Sequence, residues 1–229
     1  MENKLFEHIV REGIENPIVD LATDYAEIGL ETFLDNDLVK EIPVVKTIVG
    51  LIKGGLKIKE VAFVKKFILF LQQYHRSQIS TNKKIEFLTR YNTDTKYRAS
   101  VVEQLMILND KFIRPRKSQI LGNLFAAHIN GQYDWETFIA LSCCLEKLEL
   151  TAIPLFEKLE KEKEPFHKDY APADNYAALL VASGLAIQWG THLMVTPFGI
   201  YIYEFGIKGN INCNIESVLH RANWSIDKE

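Results

Sequence analysis

The sequence predicts a mainly α-helical protein, and three observations carry that expectation. Apolar residues recur at three- and four-residue spacings through most of the chain. Ser, Thr and Asp stand ahead of several of those runs, and Gly, Asn and Pro close them. The pattern holds to about residue 164 and changes beyond it. A multi-helix bundle is therefore expected over residues 1–164, with a linker and a small module over 165–229. At 229 residues the chain can hold one large domain, or one with an appendage. Its 47% hydrophobic and 25% charged residues are ordinary for a folded protein.

In chain order, Leu5, Phe6, Ile9 and Val10 give a first helix its apolar face, and Gly13 and Asn16-Pro17 interrupt it. Ile18, Leu21, Tyr25, Ile28, Leu30 and Phe33 mark a second helix. Its acids Asp20, Asp24, Glu27, Glu31, Asp35 and Asp37 make it strongly negative.

Ile42 to Ile85 then holds nine basic residues and one acidic residue, Glu60, in a chain of net charge −3. Such asymmetry needs a physical reason. On a helix of about 3.6 residues per turn, Lys46, Lys53 and Lys57 share one stripe. Gly50 and Gly54 lie along its edge, and Val44, Ile48, Leu51, Ile52 and Ile58 take the far side. Pro43 suits a first helical turn. A broad apolar face opposite a lysine stripe suits a membrane interface, and Gly50-x-x-x-Gly54 permits close helix packing.

Val61 to Leu71 is more apolar still, around Lys65 and Lys66. The two segments together predict a basic amphipathic hairpin over residues 42–75. On one reading Lys46, Lys53, Lys57, Lys65 and Lys66 meet a membrane or a ligand. On the other, these are core helices with lysines in water. A conventional span is disfavoured, because a central lysine costs about 2.5–3.5 kcal/mol on insertion scales. The acidic second helix could fold against the stripe and mask it.

Ser80 or Thr81 can cap the next helix, through about Tyr91. Thr93-Asp94 can cap another that carries Val101, Val102, Leu105, Met106, Leu108 and Phe112 and stops at Arg114-Pro115. Ser118 to Ile129 reads as a helix closed by Asn130-Gly131. Asp134 caps one with Phe138, Leu141 and Leu145, and Thr151 to Lys163 ends in alternating glutamates and lysines. Glu164-Pro165 to Pro172 has no periodicity and reads as a boundary.

Beyond it, Ala173 to Leu185 reads as a short helix, and Ile187 to Val195 as two short strands about a turn. Thr196-Pro197-Phe198-Gly199 opens a last apolar segment, Ile200 to Phe205. This order resembles the recognition-helix-and-wing half of a winged-helix fold over about 35 residues. The corresponding helix, from Ala173 to Leu180, carries no Arg or Lys, whereas duplex DNA demands phosphate contacts. A winged-helix-like module used for protein contact, through Trp189, His192 and Phe198, is therefore expected over a DNA reader.

Three cysteines, two of them adjacent, make no disulfide framework and point to a reducing cytoplasm. Cys143 and Cys144 read as small buried helix residues. The N-terminus lacks a signal-peptide pattern. The six histidines are dispersed, and no metal-ligand spacing, nucleophile elbow or phosphate loop occurs. Neither an enzyme nor a cofactor nor a metal is expected.

The whole layout resembles a group of uncharacterised bacterial proteins and the membrane-acting effectors of bacterial anti-phage systems, the Hailong type among them. The residues concerned are the acidic helix Asp20 to Asp37, Ile42-Pro43-Val44-Val45, Gly50, Gly54-Gly55 and Thr196-Pro197-Phe198-Gly199. The resemblance implies a homo-oligomeric channel at the inner membrane, controlled by an oligonucleotide ligand from a partner nucleotidyltransferase. The leading expectation is thus a non-enzymatic defence effector with a conditional membrane location. The rival is a soluble regulator whose C-terminal module contacts nucleic acid or a protein.

Overall fold

A computed structural model describes residues 2–16, 29–33, 36–51, 58–162, 166–169 and 175–223. The chain is mainly helical, as the periodicity predicts. It divides into two compact units, residues 1–131 and 132–229.

The first unit runs α1 (Glu2–Glu15), α2 (Leu30–Phe33), α3 (Asp37–Glu41), α4 (Pro43–Leu51), α5 (Ile58–Arg76), α6 (Thr81–Thr93), α7 (Thr95–Lys111) and α8 (Pro115–Ile129). Local chemistry sets several of these ends. Asp94 accepts from the amides of Lys96 and Tyr97 and so starts α7. Pro115 occupies the first turn of α8, three residues earlier than Ser118, because its missing N–H is not needed there. Gly131, at φ +86°, follows the Asn130 cap. Ser80 stands at the start of α6 but makes no side-chain cap bond.

The core of this unit is built on α5. From Val64 to Gln72 every residue is buried, so this helix has no solvent face in its middle. A helix apolar nearly all round belongs inside a protein, and α8 is the neighbour that covers it. Their approach is close because Gly122 presents no side chain. A Cβ there would stand 2.5 Å from the carbonyl oxygen of Phe70 and 3.1 Å from Cβ of Gln73. Phe125 follows on the same face, 5.6 Å from Phe70 and 5.7 Å from Tyr74 between ring centroids. Phe87 of α6 meets it edge-on at 5.5 Å. Offset and edge-on aromatic pairs of this kind stabilise a core beyond simple area burial.

Of the two readings open for the second half of the basic hairpin, this burial matches the core helix. Val64 to Tyr74 is a core helix. Read alone, the nine apolar residues of Val61 to Leu71 around two lysines suit an interface or a core equally, and only the presence of α8 distinguishes the two. Residues 52–57, with Lys53, Gly54, Gly55 and Lys57, lie outside the described residues, and so does most of the acidic second helix.

The second unit contains α9 (Trp135–Lys147), a 3-10 turn (Leu150–Ala152), α10 (Ile153–Glu160), β1 (His167–Asp169), α11 (Asn175–Ala182), β2 (Ala186–Trp189), β3 (His192–Val195), α12 (Pro197–Tyr201) and α13 (Ile215–Arg221). Asp134 caps α9 by accepting from the Thr137 amide, and the Thr196 hydroxyl caps α12 through Gly199. The α12 helix continues as a π-helix over Ile202–Ile207. The sheet is antiparallel with order β1-β3-β2, pairing His167 with Met194 and Trp189 with His192.

The hairpin about Gly190 lies where Ile187 to Val195 predicts it. The strand β1 falls in the stretch read as an unstructured boundary. Its partner lies about 25 residues downstream, and a three-residue strand has too little periodicity to be seen alone.

The division at residues 131 and 132 also differs from the expected one at 164 and 165. Phe156 of α10 stacks on Tyr203 at 5.5 Å, and the Tyr203 hydroxyl donates to Glu160 at 2.7 Å. The Phe166 amide donates to the Leu159 carbonyl at 2.8 Å. Residues on both sides of 164 therefore share one core. Cys143 is exposed and Cys144 half-buried, so the expectation of a buried cysteine pair is corrected.

Candidate functional site

The N-terminal half of α5 meets the turn between α7 and α8. The α7 helix ends at Lys111, and its last carbonyls need donors. The Lys66 ammonium supplies them, donating to the carbonyls of Asp110 at 2.8 Å and Phe112 at 2.9 Å. Burial pushes the Lys66 pKa below its usual value. The Asp110 carboxylate opposes that shift, and the Lys59 ammonium adds to it. Lys59 lies 3.7 Å from Asp110.

The backbone after α7 turns extended at Phe112 (φ −64°, ψ 121°). Successive side chains of extended backbone point to opposite sides. Phe112 is accordingly buried while Ile113 stands 90% exposed. The flanking Lys111, Arg114 and Arg116 are exposed as well. Ile58, the first residue of α5, is 80% exposed. Between the two elements lies a mostly apolar recess of about 270 Å³, lined by Ala62, Lys65, Lys66, Phe112, Ile113 and Pro115.

Large apolar side chains this exposed are informative because they sit among charges. Lys59 on α5 and Lys111, Arg114 and Arg116 about the α7–α8 turn are exposed, while the Lys66 ammonium is held by the Asp110 and Phe112 carbonyls. The arrangement can take up an anionic surface that also accepts apolar tips.

Of the residues expected to meet a membrane or ligand, Lys65 and Lys66 line this recess, both largely buried. Lys46 is exposed on α4 and pairs with Glu41 at 2.8 Å. Gly50 lies within α4, and Lys53, Lys57 and Gly54 lie outside the described residues. Of the sequence stripe only Lys46 is among the described residues, and it does not line this recess. Ile113, Lys111, Arg114 and Arg116 escaped notice because Arg114-Pro115 reads first as a helix stop. The legible signal was an isoleucine between basic residues in a turn, where burial has no claim on it.

In the second unit Trp189 is 82% exposed on the hairpin, and Phe198 is exposed at the start of α12. His192 is half-buried, with Nδ1 3.3 Å from Asp169 and its ring 5.7 Å from that of His167. Among the described residues no helix is long and apolar enough to cross a membrane, and no cluster of His, Cys, Asp or Glu could hold a metal ion. Comparison of the chain with protein-family models, curated proteins and solved structures finds no match.

Proposed function

We propose that this chain is a non-enzymatic protein that docks on anionic membrane surfaces through the basic, isoleucine-tipped end of its first unit. The observation that carries the reading is the exposure of Ile58 at the start of α5 and of Ile113 on a recess that Lys65 and Lys66 also line. Each lysine or arginine near an anionic surface contributes about 1 kcal/mol. Full burial of each isoleucine adds roughly 1.5–3 kcal/mol.

Surface docking is preferred to a pore made directly by the 42–75 segment, because the middle of α5 is spent in the core. An oligomeric pore under ligand control, as the anti-phage resemblance implies, would require α5 to leave α8 first. The exposed Trp189 favours a second, compatible reading, in which the hairpin is the contact for a regulatory protein partner.

Vesicle co-flotation tests the docking. The chain is expected to float with vesicles of phosphatidylglycerol and to stay behind with vesicles of phosphatidylcholine. Ile58→Glu with Ile113→Glu should lose the vesicles and keep its circular dichroism, since both side chains are exposed. Equal flotation of this variant, or of the wild type with neutral vesicles, would overturn the reading.

A further inference from the structure

A second concavity of the first unit lies between α6, α7 and the end of α8. It measures about 120 Å³ and is lined chiefly by Lys83, Glu86, Phe87, Arg90, Tyr97 and His128. Positions 83, 86, 87 and 90 share one face of α6 by helical spacing. Phe87 turns inward and meets Phe125 and Tyr97 edge-on. Asp94 holds Tyr97 in the first turn of α7 by accepting from its amide. The guanidinium carbon of Arg90 lies over the Tyr97 ring, 3.9 Å from its centroid, and the Tyr97 hydroxyl is 2.9 Å from Nε2 of His128. Lys83 passes over Gly131, where an added Cβ would stand 3.6 Å from Nζ. Its ammonium pairs with the exposed Glu86 at 3.0 Å.

The Arg90 guanidinium is the group left unspent. Its face is occupied by Tyr97, and among the described residues its N–H edge has no hydrogen-bond acceptor. Stacking removes much of the rotamer freedom that an exposed arginine would otherwise lose on binding. A planar fork held in this way matches two oxygens of a phosphate or carboxylate. A second cation, Lys83, stands on the same wall, and its present partner is an exposed carboxylate of little worth. Two cations on one wall favour the dianion, a phosphate, over a carboxylate. The volume equals that of roughly four waters at about 30 Å³ each. A phosphoryl group fits there, and the remainder of a larger molecule must lie outside.

We propose that this cleft binds the phosphoryl group of a phosphomonoester. Arg90 takes two of its oxygens, and Lys83 exchanges Glu86 for the phosphate. The Tyr97–His128 pair forms the inner wall.

The phosphoryl group could belong to a soluble phosphomonoester or to a phosphatidic acid headgroup, and the experiment has an arm for each. Phenyl phosphate is titrated calorimetrically into the full chain, and flotation is repeated with vesicles carrying phosphatidic acid. Both arms use the Ile58→Glu, Ile113→Glu background, so that loss of the proposed docking surface cannot be mistaken for loss of this site. Saturable phenyl phosphate binding, weakened about tenfold or more by Arg90→Gln, supports the site with a soluble ligand. Binding of phosphatidic acid vesicles alone, with the same dependence on Arg90, supports it with a lipid ligand. Arg90→Lys keeps the charge and loses the fork, so it should also weaken binding, and it serves if Arg90→Gln does not fold. Absence of binding in both arms, or binding indifferent to both Arg90 variants, overturns the proposal.

Discussion

Replacing Gly122 by alanine sets two effects of opposite sign against each other. On an isolated helix the change should stabilise by about 1 kcal/mol, because glycine is the poorer helix former. In this structure the new Cβ would stand 2.5 Å from the Phe70 carbonyl oxygen, about 0.9 Å inside ordinary contact at 3.4 Å. The other close neighbours are Cβ of Gln73 at 3.1 Å and the Tyr74 amide nitrogen at 3.2 Å. Two of these three atoms are backbone, so no side chain can simply rotate away. Relief requires α8 to withdraw from α5, which also loosens the Phe125 contacts with Phe70 and Tyr74. Overpacking without a flexible neighbour costs about 1–3 kcal/mol or somewhat more. The upper part of that range, less the propensity gain, leaves a net loss of roughly 2 kcal/mol. That is a substantial fraction of an ordinary domain's stability of about 5–15 kcal/mol. Urea unfolding followed by far-ultraviolet circular dichroism measures it. Trp135, Trp189 and Trp224 all lie beyond residue 131, so tryptophan fluorescence reports the second unit in the same samples. A Gly122→Ala chain as stable as the wild type, or more so, would refute the close crossing of α5 and α8.

Two further outcomes follow from the same structure. Because burial lowers the Lys66 pKa, the unfolded chain holds that proton more tightly than the folded one. Wild-type stability relative to Lys66→Met should therefore rise as pH climbs through the lowered folded-state value towards 10.5, with the burial cost fully present below it. The buried phenols of Tyr74 and Tyr91 act oppositely, since their raised values remove stability above pH 10. They are common to both proteins and cancel in the difference, so a flat difference in urea midpoints across this range would contradict the burial of the Lys66 ammonium. Truncation distinguishes the unit boundaries: residues 1–131 should be cooperatively folded by circular dichroism. Residues 1–164 should carry a disordered tail, because Phe156 and Glu160 would lose Tyr203. Protease-resistant folding of 132–164 in that fragment would show that α9 and α10 stand without the C-terminal residues.

Local chemistry was legible in the sequence. Asp94 and Asp134 cap helices because a short carboxylate satisfies amides two or three residues on, whatever lies elsewhere. Asn130-Gly131 and the turn at Gly190 are likewise decisions of one or two residues. The helical class follows from periodicity, which also acts within a few turns.

The tertiary structure decided whatever depended on a distant partner. The middle of α5 reads as an interface or a core until α8 covers it. Lys65 and Lys66 line a recess because the α7–α8 turn comes to rest beside them. Lys66 turns inward to carbonyls 44 and 46 residues away, a pairing invisible to any local window. β1 exists only because β3 returns to it. The cleft at Arg90 needs three helices, and its tyrosine and imidazole lie 31 residues apart. Charge and periodicity are properties of neighbours along the chain. A site is a property of neighbours in space, and the packing of apolar faces sets which residues those are.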